Sequence, residues 1–363
     1  MISSFIINKY IIKEFSKTIL NMFLTFFALG FIINLFEEIN FFKDLDVQIF
    51  LPITMSVLFV PSLLYNMFPF IILLSGIWFF LKIKKSDEIT AMKVSGMSNL
   101  SIIIVPGLLS IVLGIIFITS VNPITSALVK KYETIKGNYE KDLDYLATIT
   151  SNGIWIKEKN LNKNSIIRST NLENNYLKEV TIYEFDENLN FLRRIESESA
   201  NINYFEWDLK NSKIFDTEGK IIAENIKNLS YISTFDLKKI KNLYTNLDTI
   251  SFWNIENQIK ILEERGYSTK EMEAKLHRSF AYPFFLLSMV LLAGVFTLST
   301  NFKDNNLTYV IITIIASVII YFFNDLSSVL GKTEKLPIIA SVWMPILIIF
   351  IFGAVGVIHA NQR

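Results

Sequence analysis

The 363 residues include no cysteine. That excludes a disulfide framework and thiolate chemistry, so any part outside the cytoplasm has to be held by its core alone. Histidine is nearly absent as well: only His277 and His359 occur, far apart and without Cys or His-x-x-Glu neighbours, and no metal site is expected. Net charge is scarcely present, since Lys+Arg 35 against Asp+Glu 34 leaves +1. Without a concentrated basic surface, nucleic acid is excluded as a main partner. The opening MISSFIINKYIIKEFSK lacks a basic region leading into an apolar core and a small-residue cleavage site. It reads as an interfacial turn or two of helix before a first span, and not as a removable signal peptide. A complete phosphate-binding loop is missing too. Gly331-Lys332-Thr333 resembles the tail of one, but Leu326 stands where its first glycine belongs, so the chain is expected neither to hydrolyse ATP nor to hold a cofactor. With no nucleophile elbow and no paired intramembrane carboxylates, an enzyme is the least supported class.

What the chain has in abundance is apolar side chain. It is 51% hydrophobic and 14% aromatic with a mean hydropathy of +0.39, the composition of a membrane protein. Six windows, 19–36, 50–81, 101–121, 280–298, 309–323 and 337–358, meet or approach the ~20 residues that a helical crossing needs. The second exceeds one crossing and contains Pro52, Pro61 and Pro69, so tilt or a kink is expected to absorb its length. Asn66 within it is expected to pair with another helix, and Glu37 and Glu38 read as markers of the interface. Lys9, Lys13 and Lys17 before the first span, and Lys82, Lys84, Lys85 and Lys93 between the second and third, place those segments in the cytoplasm. Glu37, Glu38, Asp44 and Asp46 against Lys43 mark the first outer loop, and six crossings leave both termini cytoplasmic. Lys270, Lys275, His277 and Arg278 break that bias at the outer end of the fourth span. Two readings stay open there: a helix start balanced by Glu271 and Glu273, or an anionic lipid or phosphate group held at the outer surface, joined by Lys130 and Lys131.

Between the third and fourth spans, about 150 polar residues are enough for a separate domain. Residues 204–209 alternate, with Phe205, Trp207 and Leu209 on one face. Further short runs at 154–156, 165–169, 180–185, 189–195 and 231–235 are punctuated by Asp186-Glu187-Asn188 and Asp216-Thr217-Glu218-Gly219. That spacing predicts a β-sandwich or jelly roll. Helices should flank it. Residues 126–139 continue the third span, and 251–265 carry a stripe of Phe252, Ile255, Ile259 and Leu262 closed by Gly266. Ser268 with Glu271 forms a capping box opening a helix through Leu276 into the fourth span. The expected fold is six transmembrane α-helices with an inserted extracytoplasmic all-β, jelly-roll-like domain, divided as 1–125, 126–267 and 268–363.

One strongly polar, helix-competent stretch, KIKKSDEITAMKVSGMS at 82–98, lies between two apolar ones. Ser86 can cap a short helix with Asp87 and Glu88 in its first turn, and Gly96 can close it. Composition alone fits a solvated cytoplasmic loop here.

Local patterns carry a resemblance over nearly the whole chain. They are Pro61 and Phe68-Pro69; Ser86-Asp87-Glu88 running to Ala91-Met92 and Ser95-Gly96; Gly153-Ile154-Trp155; Leu276-His277-Arg278 with Pro283; and Leu336-Pro337. Together they resemble the LptF/LptG permeases of the lipopolysaccharide exporter, LptG the more closely. The resemblance implies an inner-membrane half-transporter with a periplasmic β domain, without an ATPase site of its own. Its partners would be a second six-span permease (LptF-like), a cytoplasmic ATPase dimer (LptB-like), a single-span LptC-like protein and a periplasmic LptA-like bridge; its substrate would be lipopolysaccharide. Ser86, Asp87, Glu88, Ala91, Met92 and Gly96 fall on the family's segment that docks in a groove of the ATPase, with Glu88 at its functionally important acidic position. LptG proteins often carry lysines late in the first span, where this chain has Asn34, Glu37, Glu38 and Asn40. Lys43, Lys130, Lys131, His277 and Arg278 are the alternative headgroup contacts, unless the exported lipid is less anionic. The LptF paralogue, or a membrane-anchored scaffold binding partners through its β domain, are the competing readings.

Overall fold

A computed structural model describes residues 2–43, 45, 47–137, 139, 146–150, 153–160, 163–173, 175–186, 188–236, 246–264, 269–298, 306–333 and 335–361. The expectations placed on Asp44, Asp46, Glu187, Gly266 and Ser268 lie outside these residues. The chain divides into two compact units, one holding the long helices and the other, Glu133–Leu247 with Asn257–Thr269, holding the sheet.

Among the described residues, six helices are long and apolar enough to cross a bilayer. They are built from α1 (Ile2–Phe41), α2 (Phe50–Lys85), α4 (Asn99–Ile116) continued through a π-helical turn (Phe117–Val121) into α5 (Asn122–Gly137), α7 (Lys270–Leu298), α8 (Asn306–Lys332) and α9 (Ile338–Asn361). A short α3 (Glu88–Val94) joins α2 to α4. At ~1.5 Å per residue, α1 is about 60 Å long, twice the ~30 Å hydrocarbon thickness. The opening residues are the first turns of one helix that continues unbroken into the span. They stay helical because Ile11 and Phe15, four apart, are fully buried, with Phe15 set 5.5 Å from Phe79 of α2.

Helix α7 is the centre of this bundle. Gly76 of α2, Gly114 of α4 and Gly353 of α9 approach it so closely that a Cβ would stand 2.6 Å from Ala293, 2.7 Å from Pro283 and 2.9 Å from Leu291. In a lipid solvent, helices gain little from hiding apolar groups from each other, and such close backbone approach supplies the dispersion that holds them. Gly331 has the same role: its Cβ position is occupied by Ser341 of α9, which accounts for the glycine of Gly331-Lys332-Thr333 by packing. Helices α1 and α8 are covered far less, with 17% and 11% of their most apolar windows buried. Two expectations fail here. Asn66 is exposed, because the buried side chains of its stretch, Leu64, Phe68 and Pro69, define a different face of α2. Glu38 is buried at 1% exposure and accepts a 2.7 Å hydrogen bond from the Tyr132 hydroxyl, so it does more than mark an interface.

The second unit is one antiparallel sheet. Its strands are β1 (Leu146–Thr150), β2 (Gly153–Asn160), β3 (Lys163–Ser169), β4 (Asn171–Glu173), β5 (Tyr176–Phe185), β6 (Phe191–Asn201), β7 (Glu206–Phe215) and β8 (Ile221–Ile232), in the order β1-β2-β3-β5-β6-β7-β8 with β4 on β5. Alternate residues, among them Ile154, Ile156, Ile167, Val180, Ile182, Ile195, Trp207 and Leu209, form the core. Leu262 of α6 (Ile255–Glu264) packs against it. At the start of β2, Gly153 has φ +113 with the Ser169 carbonyl where a Cβ would be, a position only glycine fills without strain. The sheet rolls up far enough for strands that are not neighbours to touch. The fully buried Glu158 of β2 accepts bonds from Tyr231 Oη at 3.1 Å, Ser233 Oγ at 2.7 Å, and Thr234 N and Oγ1, both at 2.9 Å. Trp207 Nε1 donates to the Phe235 carbonyl at 2.7 Å beside it. Burial opposes ionisation of Glu184, but the hydrogen bonds and charges of Arg193 and Lys163 outweigh it and hold that carboxyl below its usual range.

The strand expectations need three corrections. The strand expected at 204–209 begins at Glu206, with Tyr204 and Phe205 77% and 50% exposed in the bend before it. Leu189 sits in a turn at φ 62, and β6 starts at Phe191. The strand expected at 231–235 is instead the end of β8, whose earlier residues are exposed on both sides as an edge strand and so show no alternation. The helix expected from 251 opens with a 3-10 turn, Phe252–Asn254.

Candidate functional site

The polar stretch after α2 folds tightly because of two backbone devices. Asp87 adopts the left-handed conformation (φ 56), which aspartate tolerates better than most residues, and so breaks α2 from α3 within two residues. At the other end Gly96 has φ 89, its N–H donates to the Lys93 carbonyl at 2.9 Å, and Met97 N–H reaches back to Met92 at 3.1 Å. This is a Schellman closure, and its usual hydrophobic contact is made by Met92 and Met97, both packed into the bundle core. The expected cap is corrected. Ser86 ends α2 and does not start α3; its hydroxyl donates to Glu88 Oε1 at 2.8 Å, with the Lys82 carbonyl 3.0 Å from the same oxygen. A Cβ at position 96 would meet nothing within 4 Å, so Gly96→Ala isolates the backbone cost. We expect it to destabilise the solubilised protein by about 1 kcal/mol, and Gly96→Asn by less, measured as shifts in thermal midpoint.

Glu88 is the best-connected side chain of the segment. Tyr10 Oη donates to its Oε2 at 2.8 Å, while Ser86 holds Oε1. Four residues along α1, Glu14 pairs with Lys82 at 2.5 Å. Lys84 Nζ donates to the Thr297 carbonyl at 3.0 Å in the last turn of α7, where carbonyls lack helical partners. The segment is thus tied to both α1 and α7. Met92 is buried at 5% and Ile89 packs beside it, which turns Asp87, Thr90, Ala91 and Val94 outward; Val94 is 85% exposed. Of the six candidate docking residues, Ser86, Asp87, Ala91 and Gly96 are exposed, Glu88 is half-buried and Met92 belongs to the core.

The candidate headgroup cations are spread over three elements. Lys43 is exposed in the turn after α1, Lys130 and Lys131 are exposed side by side on α5, and half-buried His277 and exposed Arg278 are adjacent on α7. Arg278 Nε reaches the Ala274 carbonyl at 3.3 Å. Lys275, grouped with them by sequence, instead donates to the Ile250 carbonyl at 2.5 Å.

Tyr10 and Glu14 do not stand out in the sequence, because their tract reads locally as a turn or two of interfacial helix. The usable signal was Ile7, Ile11, Phe15 and Ile19, four apart, which marks a packed helix face with Tyr10 and Glu14 flanking it.

A profile of the family described as lipopolysaccharide export system permease LptF/LptG matches residues 9–359. It therefore takes in all six long helices and the sheet. Comparison with curated proteins gave no match.

Proposed function

This chain belongs to the LptF/LptG family of lipopolysaccharide export permeases, and on that premise we propose that it is the LptG-type half of an exporter driven by a partner ATPase. The observation that carries the reading is the uneven covering of the bundle. Helices α1 and α8 have 17% and 11% of their apolar windows buried by this chain, against 61% for α7. Both are the spans that, in family terms, form lateral gates with a second permease. A half-transporter has to leave such faces open for its partner and for lipid.

In this reading α3, both termini and the lysines beside them are cytoplasmic, and the β domain is periplasmic. The ATPase docks on the outward side of α3 through Ser86, Asp87, Glu88, Ala91 and Gly96, with Met92 anchoring the helix from beneath. Lipid phosphates meet Lys43, Lys130, Lys131, His277 or Arg278. Lipid passes on to stacked β domains of LptC-like and LptA-like partners; the support here is β8, an edge strand with Ile221 and Ile222 52% and 63% exposed.

Affinity purification of the full chain in detergent tests the proposal. Recovery of a cytoplasmic ATPase together with a second six-span protein is the expected outcome. Recovery of β-domain partners alone would replace it with the scaffold reading.

A further inference from the structure

We infer that Tyr10 is a positioning residue that gears α1 to α3, so that a displacement of α3 by the partner ATPase is delivered to α1; the inference rests on the coupling role proposed above. Helix α1 packs along α2, with Phe15 against Phe79, Phe23 against Phe68 and Phe26 against Phe70, and leaves its other faces largely uncovered by this chain. Only 17% of its apolar window is buried, and toward the α2–α3 corner its contacts are specific polar ties. At its inner end two ties lie one helical turn apart. Tyr10 Oη donates to Glu88 Oε2 at 2.8 Å, and Glu14 pairs with Lys82 at 2.5 Å. Residues four apart face the same side of a helix, so the two make a single patch toward the α2–α3 corner. Ile11 and Phe15 seat the neighbouring face at 0% exposure, which keeps that patch in register.

The chemistry suits a transmitting contact. A hydroxyl donating to a carboxylate makes a stronger and more directional bond than a neutral pair. Glu88 accepts one bond on each oxygen here, and a carboxylate has about four acceptor sites, so a partner cation can bind it without displacing Tyr10. The ATPase contact and the α1 contact can therefore be held at once, as a lever requires. At the far end of the same continuous helix, Tyr132 Oη donates to buried Glu38 at 2.7 Å. Between its terminal Tyr–Glu bonds α1 exposes Leu24, Leu29, Ile32 and Ile33. A continuous helix is stiff along its axis, so a displacement of its inner end is carried along its seam with α2 to the outer end.

The test uses the intact complex in lipid vesicles, with ATP hydrolysis and lipid transfer measured in the same sample. Tyr10→Phe keeps the ring and removes only the hydroxyl. Glu14→Lys and Lys82→Glu each break the second tie, and the double swap restores it with reversed polarity. We expect Tyr10→Phe to keep the ATPase bound and hydrolysing while lipid moved per ATP falls about tenfold, the factor that loss of one hydrogen bond to a charged group supplies. The Glu14→Lys and Lys82→Glu single variants should show smaller losses, recovered in the double swap. A merely structural lesion would lower both rates together. Wild-type lipid per ATP in Tyr10→Phe, or failure of the swap to recover, overturns the inference while leaving the coupling proposal standing. If no ATPase accompanies the wild-type chain, both fall.

Discussion

Replacing Glu88 with lysine is expected to release the partner ATPase and abolish lipid export from a chain that still inserts and folds. Three effects add at this position. The substitution removes the acceptors of Tyr10 and Ser86, hydrogen bonds to a charged group worth ~1.5–3 kcal/mol each before solvent takes their place. It also puts an ammonium where the proposed ATPase contact requires a carboxylate, turning an attraction into a repulsion. Finally it adds a cation to a segment that already carries Lys82, Lys84, Lys85 and Lys93. The fold should survive because the site is half-exposed and the anchoring of α3 rests on Met92, Ile89 and Met97 in the bundle core. Glu88→Gln is the graded control: its amide oxygen can still accept from Tyr10, so it should retain the ATPase with reduced export. Co-purified ATPase and exported lipid are the two readouts. Persistence of both in the lysine variant would sink the coupling role.

The spans were readable because hydropathy over ~20 residues is a property of local sequence. The docking segment was readable because Asp87 and Gly96 are residue types that end helices. What escaped depended on partners far away in the chain. Tyr10 is ordinary until α3 brings Glu88 to it, 78 residues away, and Glu38 is an interfacial acid until α5 brings Tyr132. Asn66 escaped for the opposite reason: a polar residue in an apolar span implies a partner, and no local pattern says whether that partner belongs to the same chain. In the β domain, β8 was hidden because an edge strand exposed on both faces has no alternation to read, whereas Trp207 and Leu209 announced β7 by theirs. The ring of donors on Glu158 was invisible, since Ser233 and Thr234 lie 75 and 76 residues away.

That ring carries the largest expected effect on stability. Glu158→Ala removes, in a site at 0% exposure, the acceptor of four hydrogen bonds from the Tyr231, Ser233 and Thr234 hydroxyls and the Thr234 N–H. Each buried group left unpartnered costs ~1–3 kcal/mol. The variant also escapes the penalty of burying a carboxylate and lets some groups reach water, so the costs do not sum in full. A net loss of about 4 kcal/mol is expected, a large share of the ~5–15 kcal/mol that holds a domain together. The loss falls on one joint. Glu158 links β2 to the end of β8, strands that share no ladder, and the same segment is also held by Trp207 Nε1 on the Phe235 carbonyl and by Ser233 N–H on the Phe205 carbonyl. Residues 233–235 should therefore detach first and open the rolled sheet at that end. Limited proteolysis of the full-length protein in detergent should cut Glu158→Ala after β8 at concentrations that spare the parent chain, while the bundle helices resist. Glu158→Gln keeps one oxygen for the three bonds now made by Oε2 and should lose only about 1–2 kcal/mol. Equal protease resistance of the alanine variant and the parent would show that the joint is carried by the apolar core alone.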